Sequence, residues 1–273
     1  MEWVPAPTPI NEKRRAQATE KTGIIGTDQV YLFDIYLEIA KDISGYEGGS
    51  FSLYDSKNQC SISAIGFEKE LHQKNDKADS ICSYVLLEKN PLIVFDLKKH
   101  DIFKYDPAVT SGMCNSYCGF PVRNKDGYAL GTFCMLNFSE VKEMSSEKIE
   151  LIEKLVSRLA LQIDTQTEQK EITSQKISKS IDIFMDNYKD FTLSDYKNFI
   201  DICSGLNLPE KNATNLINAN LCEIRNMSVM LSTKGNELQE KMNIVTKIHN
   251  QVKIEGNEAN SLIDNALDKL GDL

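Results

Sequence analysis

The 273-residue chain contains no apolar run near the ~18 residues that a membrane span needs. Its start, MEWVPAPTPINEKRR, holds no apolar core of a secretory signal, so the expected location is the cytoplasm. Basic residues are in deficit: 31 Lys and Arg against 40 Asp and Glu give a formal net charge of −9. That balance argues against nonspecific nucleic-acid binding, which needs a basic footprint. The three histidines, at 72, 100 and 249, do not cluster. The seven cysteines, at 60, 82, 114, 118, 134, 203 and 222, contain no CxxC pair, and the tightest spacing is Cys114-x3-Cys118. A zinc site, which needs clustered thiolate and imidazole ligands, is therefore not expected. An odd cysteine count in a chain of this length reads as a set of intracellular thiols instead of a disulfide framework. KIHNQV around His249 lacks the H-[DE]-L-R-x-P phosphoacceptor pattern, and no GGDEF, EAL or ATP-binding glycine box occurs. No complete catalytic motif is found, so the expectation is a non-catalytic protein, and no cofactor is assigned.

Glycine is plentiful early and scarce late: ten of the fourteen precede residue 145, and Pro209 is the only proline beyond it. This shift predicts a mobile lead-in over 1–19, a mixed α/β domain over 20–145, an outgoing helix over 146–190 and a helical arm over 191–273. DQVYLFDIYLEIAKDI has apolar residues at helical spacing. GSFSLYD and CSISAIG read as strands, DSICSYVLLEK as a short helix capped by Asp79 or Ser80, and PLIVFD as a short strand. SYCGFPVR and YALGTFCML flank an Asp126-Gly127 turn and predict a hairpin. Ser145 or Ser146 caps a helix whose stripe runs Ile149, Ile152, Leu155, Val156, Leu159, Ile163. From residue 217 a heptad emerges, with Ile217, Ile224, Leu231, Leu238, Val245, Val252, Ala259 and Ala266 on one row and His249 on the other. Heptads sustained beyond ~4 repeats predict a coiled coil or elongated bundle. An apolar row of this kind must be covered, so a homodimer is expected, with residues 217–270 as a surface for a partner protein.

KTGIIGT, SICSYVLLEKNPLIVFD, HDIFKYDPAVTSG and SYCGFPVRNKDGYALGTFCML together resemble a GAF domain of the bacterial sensory type, over about residues 20–165. The C-terminal helical region resembles no family. The likeness implies an α+β fold, an antiparallel sheet with flanking helices, and the heptads place an all-α coiled-coil or helical-bundle arm after it. It also implies a cavity between sheet and connections, dimerisation through the flanking helices, and a sensory role with a small-molecule ligand. The sequence departs from the family pattern at several points. Tyr84 stands where a histidine is usual, Asn115 and Ser116 precede Tyr117, and Cys118 replaces an alanine. No Cys-His pair occurs, so covalent bilin attachment of the phytochrome kind is not expected.

Four residues are candidates for ligand binding: Cys82 and Tyr84 on the short helix expected to cap the cavity, and Cys118 and Phe120 on one face of the hairpin. For each the plain alternative is packing, since a buried cysteine behaves as a small apolar residue and Tyr84 suits a core aromatic. Cys118 has no Lys, Arg or His beside it in sequence to activate its thiol. The expected function is sensing of a small molecule or redox state, with a signal passed through C-terminal helices. The alternatives are a ligand-free scaffold that dimerises and, further off, a thiol-dependent redox enzyme.

Overall fold

The computed structural model describes residues 2–27, 29–67, 74–77 and 80–243. The chain forms two compact units, Met1–Glu171 and Ile172–Leu273.

The first unit is built on one six-stranded sheet. Its strands are β1 (Gly48–Tyr54), β2 (Asn58–Ile65), β3 (Lys74–Asp76), β4 (Leu92–Val94), β5 (Ser116–Arg123) and β6 (Ala129–Asn137). They lie in the order β3-β2-β1-β6-β5-β4, and each neighbouring pair is antiparallel. Asp55 makes the β1–β2 turn, its Oδ1 accepting from the Lys57 and Asn58 amides at 2.7 and 2.6 Å. Gly127, at φ +83°, supplies the left-handed residue of the β5–β6 turn, and the register shifts at Val122/Arg123 as the extra residue is absorbed.

Strand alternation splits the side chains between two faces. Phe51, Leu53, Ile62, Cys118, Phe120, Phe133 and Met135 enter a core with α2 (Asp34–Ser44) and α5 (Ser146–Asn187). The stripe expected on α5 is the one that is buried there: Ile152, Val156, Leu159 and Ile163 inside, Ile149 and Leu155 half-buried. Full burial of each such side chain is worth roughly 1.5–3 kcal/mol, so this face carries most of the unit's stability. The opposite face is covered by α3 (Cys82–Val85), α4 (Pro107–Thr110) and the connection between residues 95 and 115.

The lead-in expected over 1–19 instead contains a helix, α1 (Glu12–Thr22). Arg15, Ala16, Thr19 and Thr22 form its buried side, a stripe too polar to show as hydrophobic periodicity. Arg15, only 1% exposed, donates to the carbonyls of Tyr54 (3.0 Å), Ala129 (3.2 Å) and Asp55 (2.8 Å) and to Glu12, and Thr19 donates to the Leu130 carbonyl. The helix thus satisfies carbonyls at the β1 and β6 strand ends, which is what holds it in place.

In the second unit, Phe184 of α5 sits among Phe191, Tyr196 and Phe199, with ring centroids 5.5–5.6 Å away. Helix α6 (Leu193–Cys203) starts with a capping box between Thr192 and Asp195. Short helix α7 (Thr214–Asn218) and helix α8 (Thr233–Met242) follow, separated by a hairpin of β7 (Cys222–Arg225) and β8 (Ser228–Leu231). The arm is helical, but the heptad does not run along one helix over 217–231. Asn226 and Met227, both at positive φ (49° and 58°), make a tight reversal there. Ile224 consequently lies 47% exposed on the hairpin, while Leu216, Leu221 and Leu238 join the local core. The remaining heptad positions from Val245 onward, and His249, lie outside the described residues. Among the described residues no helix is long and apolar enough to cross a membrane.

Candidate ligand-binding cavity

Between the second face of the sheet and its covering segments lies a cavity of about 920 Å³. Ser50, Gln59, Tyr117 and Leu136 rise into it from the sheet, Lys74 and Asn75 from the edge strand β3, and Cys82 of α3 and the preceding Ile81 from the covering helix end. Asp106, Met113 and Cys114 come from the long connection, and Phe67 and Phe138 close one side. Apolar walls with a few placed polar groups are the general build of a small-molecule site.

Local sequence explains how the cavity is shaped. Gly119 lets α3 lie close to the sheet: a Cβ there would stand 2.5 Å from both the Tyr117 hydroxyl and Val85 Cγ2. Asp106 caps α4, its Oδ1 accepting from the Ala108 amide at 2.8 Å, with Pro107 as the first helical residue. Burial raises the Asp106 carboxyl above the usual carboxylate range, although its bonds to the Ala108 and Val109 amides pull the other way. Gln59 is oriented by its Nε2, which donates to Ser52 Oγ at 3.2 Å.

Behind α3 the sheet face is unusually polar for buried strand. Tyr54, Ser61, Thr132 and Cys134 are all buried. The Tyr54 hydroxyl has the Thr132 and Ser83 hydroxyls as neighbours, yet no hydrogen bond of good geometry closes on Tyr54 Oη, Thr132 Oγ1 or Ser61 Oγ. Tyr117 Oη meets Cys134 Sγ at 2.9 Å, and Cys134 Sγ meets Cys82 Sγ at 3.3 Å. Burial pushes the Tyr117 hydroxyl and the Cys134 thiol well up, and the Cys114 thiol to about 12.

The four expected site residues are not brought together. Cys82 lines the cavity. Tyr84 turns outward beneath the N-terminal segment, donating to the Val4 carbonyl at 2.7 Å and meeting Trp3 and Phe103 edge-on at 6.1 and 5.1 Å. Cys118 lies on the helix-facing side, its Sγ 3.5 Å from the Tyr46 hydroxyl, with its thiol raised by burial to about 11. Phe120 is on the same side, beside a separate cavity of about 180 Å³ that also touches Arg123 of β5 and Glu153 of α5. The hairpin's alternation was legible, with Cys118 and Phe120 sharing a face, but the cavity belongs to the other face, that of Tyr117 and Gly119. The cavity also takes Ser50, Gln59, Asp106 and Tyr117, which are not among the four residues expected from the sequence. For Ser50 the signal is the alternation in GSFSLY, where Ser50, Ser52 and Tyr54 share a side opposite Phe51 and Leu53. Among the described residues no group of three His, Cys, Asp or Glu side chains could hold a metal ion.

The GAF domain family model matches residues 29–163. No curated protein matches the chain. Solved structures similar to it include the blue-light absorbing form of the Thermosynechococcus elongatus PixJ GAF domain, at 10% identity over 62% of this chain and 96% of that one, with a TM-score of 0.45. The GAF domain of the Acinetobacter phosphoenolpyruvate-protein phosphotransferase matches at 16% identity over 59% and 93%, TM-score 0.43. The GAF-B domain of DevS from Mycobacterium smegmatis matches at 14% over 53% and 99%, TM-score 0.43. The six-stranded antiparallel sheet, its flanking helices and the family match over 29–163 agree: this chain carries a GAF domain.

Proposed function

We propose that the protein is a non-catalytic sensor whose GAF domain binds a small molecule in the 920 Å³ cavity and passes the event to α5. The observation that carries this reading is the cavity itself: it stands open between a polar sheet face and short, locally held segments, where a scaffold domain would be filled. Its lining suits a ligand with a flat or apolar body against Phe67, Phe138 and Leu136 and polar groups toward Gln59, Tyr117 and Asp106. The route outward is short. Strands β5 and β6 carry Tyr117 and Cys134 toward the cavity and Phe120, Phe133 and Met135 toward α5. Their turn is tied to α5 as well: the Lys125 amide donates to Asp164 Oδ2 at 2.8 Å, and Lys125 Nζ pairs with Glu168. A ligand shifts such a device only by its differential affinity for two arrangements of it. The homodimer and the C-terminal partner protein belong to the same reading, with Leu151 and Leu161 exposed on α5 as surface for the former.

A metabolite library screened by melting temperature tests it. At least one small molecule is expected to raise the midpoint of the native protein. Ser50→Trp, which fills the cavity from β1, is expected to abolish that rise while leaving the far-ultraviolet dichroism native. If no compound shifts the native protein, or the shift survives Ser50→Trp, this cavity is not the sensory site.

A further inference from the structure

We propose that Cys82 and Cys134 form a redox modification site, closing to a reversible disulfide when a hydroperoxide enters the cavity. The proposal does not depend on the identity of any ligand.

The two thiols come from distant parts of the chain, α3 and β6, and are brought together by α3 settling over Gly119. Their sulfurs stand 3.3 Å apart. A disulfide needs ~2.05 Å, so closure asks for a shift of little more than 1 Å, within reach of a four-residue helix. Their environments differ in access. Cys82 lines the cavity and is partly exposed, whereas Cys134 is fully buried behind it, against Tyr117. An oxidant in the cavity therefore reaches Cys82 before Cys134, which waits as the resolving thiol. Cys118 cannot compete, because it lies on the opposite face of the sheet against Tyr46.

The chemistry balances with a hydroperoxide as the sole oxidant. The Cys82 thiolate attacks the terminal peroxide oxygen and the O–O bond breaks. The departing oxygen takes up a proton and leaves as water or an alcohol, and Cys82 becomes a sulfenic acid. The Cys134 sulfur then attacks the sulfenic sulfur, the S–S bond forms, the S–O bond breaks, and the hydroxyl departs as water with the Cys134 proton. Two thiols lose two electrons in all, and one peroxide gains them. Tyr117 loses its thiol neighbour in the process, so the oxidised cavity presents a different floor.

The test is to treat the full chain with hydrogen peroxide, block remaining thiols with an alkylating agent, digest with trypsin and read the masses without reduction. The expected product links ADSICSYVLLEK (78–89) to DGYALGTFCMLNFSEVK (126–142), with two thiols lost and recovered by dithiothreitol. Cys118→Ser should give the same product. Cys134→Ser should leave a sulfenic acid on Cys82 that dimedone captures. If that variant loses its native dichroism, Cys134→Ala serves in its place, and Cys82→Ser in any case must remove the linked peptide. A link from Cys82 to Cys114, over-oxidation of Cys82 with the Cys134 thiol intact, or no change in thiol count at peroxide levels that oxidise a free-cysteine peptide would each overturn the proposal.

Discussion

Phe51 and Ser52 are neighbours on β1, yet they meet different surroundings. Phe51 packs 5.3 Å from the ring of Phe33 in a core shared with α2 and α5. Ser52 stands opposite Ser61 and accepts a diagonal bond from Gln59 Nε2, on the side that leads to the cavity. The same contrast recurs on β6, where Phe133 and Met135 point to the helices and Thr132 and Cys134 point away. One face is made of large apolar groups that exclude water. The other mixes hydroxyls, an amide and thiols with Leu136, and several of the polar groups are buried without a well-formed hydrogen bond. Buried polar groups with open valences cost stability, so the second face is a poor design for packing alone and a reasonable one for a surface that reads a ligand.

That contrast can be broken from either side. The largest effect is expected on the packing face. Phe133→Ala should cost ~3–5 kcal/mol, read as a drop in the denaturation midpoint, with any bound fraction losing its ligand response only through unfolding. An intermediate effect is expected at the boundary. Gly119→Ala pushes a methyl against Tyr117 and Val85 and should cost ~1–3 kcal/mol, while also lifting α3 and slowing Cys82–Cys134 closure. A loss of stability with unchanged closure would show that Gly119 does not set the α3 position. The smallest effect is expected on the cavity side. Asn caps a helix about as well as Asp, so Asp106→Asn should change stability little at pH 7, and upward if at all. The sign follows from its raised carboxyl: the folded state holds that proton more tightly, so the cost of the carboxylate is absent below the unfolded pKa and grows as pH rises through the folded one. The variant's advantage should therefore shrink on acidification, and an advantage that grows toward acid pH would contradict this account of Asp106.

Much of the packing face was legible in the sequence. The stripe from Ile149 to Ile163, the Asp126-Gly127 turn and the alternating hairpin all follow from periodicity, because apolar burial writes itself as spacing. What was not legible has polar causes. Helix α1 is held by Arg15 and Thr19 donating to strand-end carbonyls, and no hydrophobic pattern marks such a contact. The hairpin at 222–231 turns through Asn226 and Met227, a pair without the glycine that usually signals a reversal, while Ile217 of α7 and Ile224 and Leu231 of the hairpin imitate a heptad. Alternation says that Cys118 and Phe120 share a face but not which face of the sheet carries the larger cavity. Cys118 departs from the family pattern, yet it is the neighbouring Tyr117, with Cys82 across from it and Cys134 behind, that reaches the cavity.

Fragment soaking of protein crystals measures the difference between the faces most directly, because a cavity lies on each side of the same strands. The account predicts that fragments collect in the 920 Å³ cavity, touching Gln59, Tyr117 or Asp106, and leave the 180 Å³ cavity beside Phe120 empty. Fragments found only beside Phe120, Arg123 and Glu153, with the larger cavity vacant at every soak, would contradict the claim that the polar face is the one that reads a ligand.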